Sequence, residues 1–187
     1  LSRLLPDFPE GLDDLDPARV GDLAAAYLKQ LLAGRGEAAR VIDKTPFNIF
    51  LLGLAQMLMP GARVVRCLRD PKDTALSCYF TNFAQGLTWS TDLGDIARMQ
   101  AAQDRVMDHW AKVLNLPVHD VRYEDLIADQ EGQSRALIEF LGLEWDPACL
   151  EFHKSGNAVL TASNWQVRKP LYKSAVGRAA AYEALMS

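Results

Sequence analysis

With 187 residues, 49% of them hydrophobic and 24% charged, the chain is long enough to bury one sizeable core and too short for two, so one domain over residues 1–187 is expected. A net charge of −4 argues against a general nucleic-acid or anionic-membrane surface, which needs an excess of Lys and Arg over a whole face. No run of eighteen apolar residues occurs, the longest apolar stretch (49–60) being broken by Gly53 and Gln56, so no membrane span is expected and any anion is bound locally.

Residues 14–32 carry Val20, Leu23, Ala24, Tyr27, Leu28, Leu31 and Leu32 at helical spacing, with Asp16 and Pro17 as N-cap and first helical residue. Gly34-Arg35-Gly36 ends that helix. Val41-Ile42-Asp43 is a short β-like run, and Thr45-Pro46 then has the cap-and-proline pattern that opens a helix over 46–59. Pro60-Gly61 breaks it. Residues 63–68 are rich in β-branched side chains and predict a strand, after which Asp70-Pro71, with Asp73 well placed against the helix dipole, starts a helix to about Phe83. Strand then helix thus occurs twice within about 45 residues, the pattern of a parallel sheet flanked by helices, and the expected fold class is α/β. A polar loop over 85–92, a helix over 93–114 and a strand over 118–123 follow. A helix over 132–141 closed by Gly142, a polar tail over 157–174 and a short helix over 177–186 complete the chain.

Ligands of open α/β sheets bind beyond the carboxyl ends of the strands, which gives weight to Lys44, Arg69 and Tyr123. Two of these are cations beside helix N-termini, where unpaired N–H groups also favour an anion, so a phosphate or sulfate ligand suits them. Solvated strand-end side chains are the alternative. Ser77 stands about two turns into its helix, within reach of the same crevice by spacing alone. Cys67, Cys78 and Cys149 are odd in number and form no CxxC, which disfavours both a disulfide framework and zinc, and small buried thiols in a reducing, cytoplasmic setting are expected. His109, His119 and His153 show no metal-ligand or hydrolase spacing. Among the tryptophans only Trp165, in the polar tail, is a candidate to meet a base. No basic-then-apolar leader opens the chain, and its start at Leu1 is what a piece of a longer chain would show.

Four runs carry a resemblance: Asp43-Lys44-Thr45-Pro46-Phe47-Asn48, Arg69-Asp70-Pro71-Lys72-Asp73-Thr74-Ala75-Leu76-Ser77-Cys78-Tyr79, Tyr123-Glu124-Asp125-Leu126 and Gln166-Val167-Arg168-Lys169-Pro170. In this order they resemble the PAPS-dependent sulfotransferases, most closely the bacterial ones often fused to tetratricopeptide repeats and more distantly the protein-tyrosine sulfotransferases. The resemblance implies a P-loop-like parallel sheet and transfer of a sulfuryl group from PAPS to a hydroxyl or amine, with no metal. It implies that Arg69 and Ser77 hold the 3′-phosphate of PAPS, that Tyr123 lines the adenine site and that Arg168 and Lys169 close on the same phosphate. Lys44 is similar to the lysine at the transferring sulfuryl group, and Ser163 to a serine that stabilises the transition state.

Two departures stand beside it. Where cytosolic small-molecule sulfotransferases have a KTH histidine as general base, this chain has Pro46, with Asp43, Glu124 or a histidine as candidates to replace it. Nothing like GxxxxGK[ST] or a Ser/Gly/Thr-rich phosphosulfate loop occurs in residues 1–48. The expectation is that this first strand-loop-helix lies upstream of Leu1; the alternative is an inactive nucleotide- or anion-binding module of the same ancestry, completed by an upstream segment or a partner chain. The acceptor (a protein tyrosine, a glycan, a lipid or a small alcohol) and the oligomeric state stay open at this point.

Overall fold

A computed structural model describes residues 5, 7–34, 36–81, 83, 87–154 and 169–185. The chain divides into two compact units interleaved in sequence, one formed by residues 1–62 with 102–117, the other by 63–101 with 118–187.

The first unit is helical. Helix α1 (Pro17–Leu31) starts where the Asp16 carboxylate accepts the Arg19 N–H at 2.7 Å, with Pro17 in the first turn. A 3₁₀ turn (Asn48–Leu51) leads into α2 (Leu52–Leu58). The predicted helix therefore begins late. The Thr45 hydroxyl donates to the Asp43 carboxylate at 3.2 Å and does not cap the turn. No strand forms over 41–43, where Ile42 is 80% exposed; three β-branched or polar residues without a neighbouring strand have no ladder to join. The core of this unit is Leu5, Leu54 and Leu58, packed by Phe8, Leu12, Leu15, Val20 and Leu23. Burial of each such leucine contributes roughly 1.5–3 kcal/mol.

The second unit carries the sheet. Strands β1 (Val64–Leu68) and β2 (Val118–Arg122) pair in parallel, from Val64 opposite Val118 to Leu68 opposite Arg122. Among the described residues the sheet has only these two strands. Arg66 and Asp120, register partners on one face, form a bidentate ion pair, with Nε donating to Oδ1 at 2.7 Å. On the other face His119 stacks on Phe140 at 5.0 Å. Parallel strands usually bury both faces, yet Val65 and Val118 remain 37% and 42% exposed.

Helix α3 (Pro71–Phe80) follows β1, and α5 (Tyr123–Ala128) with α6 (Gln130–Leu141) follows β2. The long helix α4 (Leu93–Val113) begins in this unit, after a 3₁₀ turn over Thr88–Thr91. Gly142, at φ 66°, ends α6 in the left-handed conformation expected of a C-terminal glycine. Tyr123 opens a helix, where the sequence predicted the last residue of a strand. The chain closes in two 3₁₀ segments, Lys173–Ala175 and Arg178–Leu185. Among the described residues no helix is long and apolar enough to cross a membrane.

Two stability predictions follow from this packing. A Cβ on Gly53 would lie 3.0 Å from the Trp110 ring, which is tethered by its Nε1–H to the Ile49 carbonyl at 2.7 Å. Gly53→Ala is therefore expected to lower stability by about 1 kcal/mol, since overpacking costs more than the gain in helix propensity; a urea midpoint at or above wild type would contradict this. The Arg66 hydrogen bond and charge hold Asp120 below its ordinary pKa of 3.8, against a partly opposing burial effect. A lowered folded pKa means stability present above the ordinary value and lost as pH falls through the folded one. Because Asp120 is 44% exposed, the loss in Asp120→Asn should stay below about 1 kcal/mol at pH 7, with the two urea midpoints converging as pH falls below the ordinary carboxylate range.

Candidate functional site

The site is built where β1 hands over to α3. Asp70 caps α3, its carboxylate accepting the Asp73 N–H at 2.9 Å, and Pro71 occupies the first turn. The Asp70 N–H donates to Glu124 Oε1 at 2.8 Å, which ties the start of α3 to the start of α5. Glu124 is thereby engaged in holding backbone, and its Oε2 is buried without a partner among the described residues.

Arg69, just before the helix, is half-buried. One of its terminal nitrogens donates to the Ala175 carbonyl and lies 3.9 Å from an Asp73 oxygen. Its guanidinium stands 5.4 Å from the Tyr123 ring centroid. Its Nε is buried and has no hydrogen-bond partner among the described residues. The Tyr123 hydroxyl donates to the Tyr172 carbonyl at 3.0 Å. Burial first, then Tyr172 and Glu124, raise the pKa of Tyr123 against the opposing charge of Arg69.

A cavity of about 300 Å³ opens beside these groups, lined by Arg69, Asp73, Ser77, Tyr172, Ser174, Ala175 and Arg178. Two guanidinium groups and two aliphatic hydroxyls thus converge on it, against one carboxylate that already accepts the Gly177 and Ala179 N–H groups. That is the donor set of a phosphate or sulfate site: planar multidentate cations with neutral hydroxyl donors beside them. Arg178 is held partly by the Phe80 ring, 5.5 Å from its guanidinium, and Phe80 meets Tyr182 edge-on at 5.4 Å.

The residues singled out in the sequence are distributed as follows. Arg69 and Ser77 line one cavity, and Tyr123 packs on Arg69. Lys169 is exposed in the same unit. Lys44 belongs to the other unit, in exposed coil next to Asp43, whose carboxylate accepts hydrogen bonds from the Tyr27 hydroxyl and the Thr45 hydroxyl. Burial and then Asp43 push the Tyr27 hydroxyl well above its ordinary pKa. Ser163, Trp165 and Arg168 lie outside the described residues. Among the described residues no cluster of His, Cys, Asp and Glu is arranged to hold a metal ion. All three cysteines are free, and Cys67, expected to be buried, is exposed on β1.

Sequence reasoning missed Tyr172, Ser174 and Arg178, and it took Asp73 only as a favourable charge in the first turn of a helix. The one signal in the chain was Gly177, at φ 70°, which marks a sharp local bend.

A family model described as the sulfotransferase family matches residues 7–147, a range that holds Lys44, Arg69, Ser77 and Tyr123. An uncharacterized protein of Aquifex aeolicus (strain VF5) is 32% identical over 184 residues, 97% of this chain and 24% of that protein. Protein-tyrosine sulfotransferase A of Caenorhabditis elegans is 25% identical over 150 residues, 78% of this chain and 39% of that protein. The chain spans well under half the length of the curated relatives it matches.

Thiol reactivity checks the surroundings of Ser77. Burial raises the pKa of the neighbouring Cys78 thiol, with Arg69 opposing, so Cys78 should be alkylated by iodoacetamide at pH 8 at least about tenfold more slowly than exposed Cys67. Equal rates by peptide mass spectrometry would show that α3 is not packed as described.

Proposed function

The chain belongs to the sulfotransferase family, and from that premise we propose that the cavity at the start of α3 receives the 3′-phosphate of PAPS. The protein then transfers a sulfuryl group from PAPS to a hydroxyl or amine acceptor. The observation that carries this proposal is the convergence of Arg69, Ser77, Ser174 and Arg178 on one cavity. A 3′-phosphate is a compact dianion, and its binding needs cations that cannot lose their charge together with donors that fit between its oxygens.

In the proposed reaction the acceptor oxygen forms a bond to sulfur while the bond from sulfur to the 5′-phosphate oxygen breaks in line, and adenosine 3′,5′-bisphosphate leaves. The acceptor proton passes to a base. The protein's contribution is to align the two oxygens and to stabilise charge on the equatorial and leaving oxygens. Lys44 is proposed at the sulfuryl group, where a point charge serves that role, with Ser163 beside it. Tyr123 is proposed at the adenine side, and Arg168 and Lys169 as further contacts to the 3′-phosphate. Similarity to a protein named for tyrosine sulfation makes a tyrosine-containing peptide the first acceptor to try, ahead of glycans, lipids and small alcohols.

Isothermal titration with adenosine 3′,5′-bisphosphate tests the nucleotide site. Loss of a charge-assisted contact in Arg69→Ala should weaken binding by about 10–100-fold, and loss of a neutral hydroxyl in Ser77→Ala by about tenfold or less. Binding that neither substitution weakens would place the nucleotide elsewhere and remove the proposal's foundation.

A further inference from the structure

Asp73 is the one carboxylate among the described residues that is fully buried, at 1% exposure. Its own N–H is taken by the Asp70 carboxylate, and its side chain does not cap the helix. Both of its oxygens serve a distant part of the chain. Oδ2 accepts the Gly177 N–H at 2.7 Å and Oδ1 accepts the Ala179 N–H at 2.7 Å, across more than a hundred residues of sequence. Arg69, four residues earlier and just before the helix, donates to the Ala175 carbonyl. A cation just before the helix and an anion in its first turn thus grip one five-residue stretch, 175–179, by its carbonyl and its N–H groups. The positive φ of Gly177 lets the chain bend there. Ser174 and Arg178, immediately beside these anchored residues, line the same cavity as Ser77.

We propose that Asp73 is a positioning residue: by anchoring residues 175–179 to α3 it holds Ser174 and Arg178 as the second wall of the anion cavity. With that wall in place a phosphate is gripped from two sides; with α3 alone it meets only Arg69 and Ser77. The discrimination between a nucleotide with a 3′-phosphate and one without it therefore depends on a carboxylate whose two oxygens accept backbone N–H groups of that wall. This rests on the proposed binding of the 3′-phosphate in the cavity.

The test uses the 187-residue chain and reads two quantities. One is hydrogen exchange at the Gly177 and Ala179 amides; the other is the ratio of dissociation constants for adenosine 5′-phosphate and adenosine 3′,5′-bisphosphate. Asp73→Asn keeps the shape but replaces one acceptor oxygen by a donor, so the amides should exchange at least about tenfold faster and the ratio should fall about tenfold. Ala179→Pro removes a donor from the segment and leaves Asp73 in place; it should lower the ratio in the same direction, and it carries the test if Asp73→Asn does not fold. A merely structural Asp73 would lower the unfolding midpoint and leave the ratio unchanged, which overturns the proposal. Amides still protected in a folded Asp73→Asn overturn it equally. If instead the wild type binds both nucleotides alike while Asp73→Asn releases the amides, the anchoring stands and the 3′-phosphate assignment is what fails.

Discussion

The Asp73 side chain is buried, and a carboxylate in such a place must find its hydrogen bonds inside the protein. It finds them in two backbone N–H groups of the C-terminal segment, with the Arg69 guanidinium nearby. The other contacts of this unit are arranged around that requirement. Asp70 fixes the first turn of α3, so that position 73 points inward; the Asp70 N–H fastens that turn to Glu124 at the start of α5; and Tyr123, from the same end of α5, donates to the Tyr172 carbonyl. Two helix starts and one otherwise irregular segment are thereby locked together by backbone groups that would be costly to leave unpaired.

Electrostatics explain how an acidic chain can gather two arginines around one cavity. The net charge is −4, but most carboxylates among the described residues are exposed and screened by water, and the one in the cavity already has its donors. What is left at the cavity is the positive charge of Arg69 and Arg178, with Ser77 and Ser174 also in its lining. Arginine suits this place because it stays ionised when partly buried and stacks on aromatic rings, as Arg69 does on Tyr123 and Arg178 on Phe80. The same arginine charge opposes the burial-driven rise in the pKa values of Cys78 and Tyr123.

Much of the secondary structure was legible because its determinants are local. Asp16-Pro17 and Asp70-Pro71 cap α1 and α3 as their residue types require. Residues 93–113 and 130–141 form helices at the expected apolar spacing, and both strands lie within one residue of their predicted ends. The failures have a common cause. Val41-Ile42-Asp43 has β-like composition but no neighbouring strand, and Thr45 bonds to Asp43 in preference to the turn it was expected to cap. The first outcome was decided by the absence of a neighbouring strand and the second by a competing side-chain bond two residues away.

The sequence by itself determined the α/β class, the Asp-Pro starts of α1 and α3 and the two paired strands, because these are set by residues within a few positions of one another. Only the tertiary structure decided that Ser174 and Arg178 complete the cavity and that Asp73 holds them there. The contacts responsible join residues more than a hundred positions apart through backbone N–H groups, which every residue but proline possesses and which leave no mark in the identity of the residues that donate them.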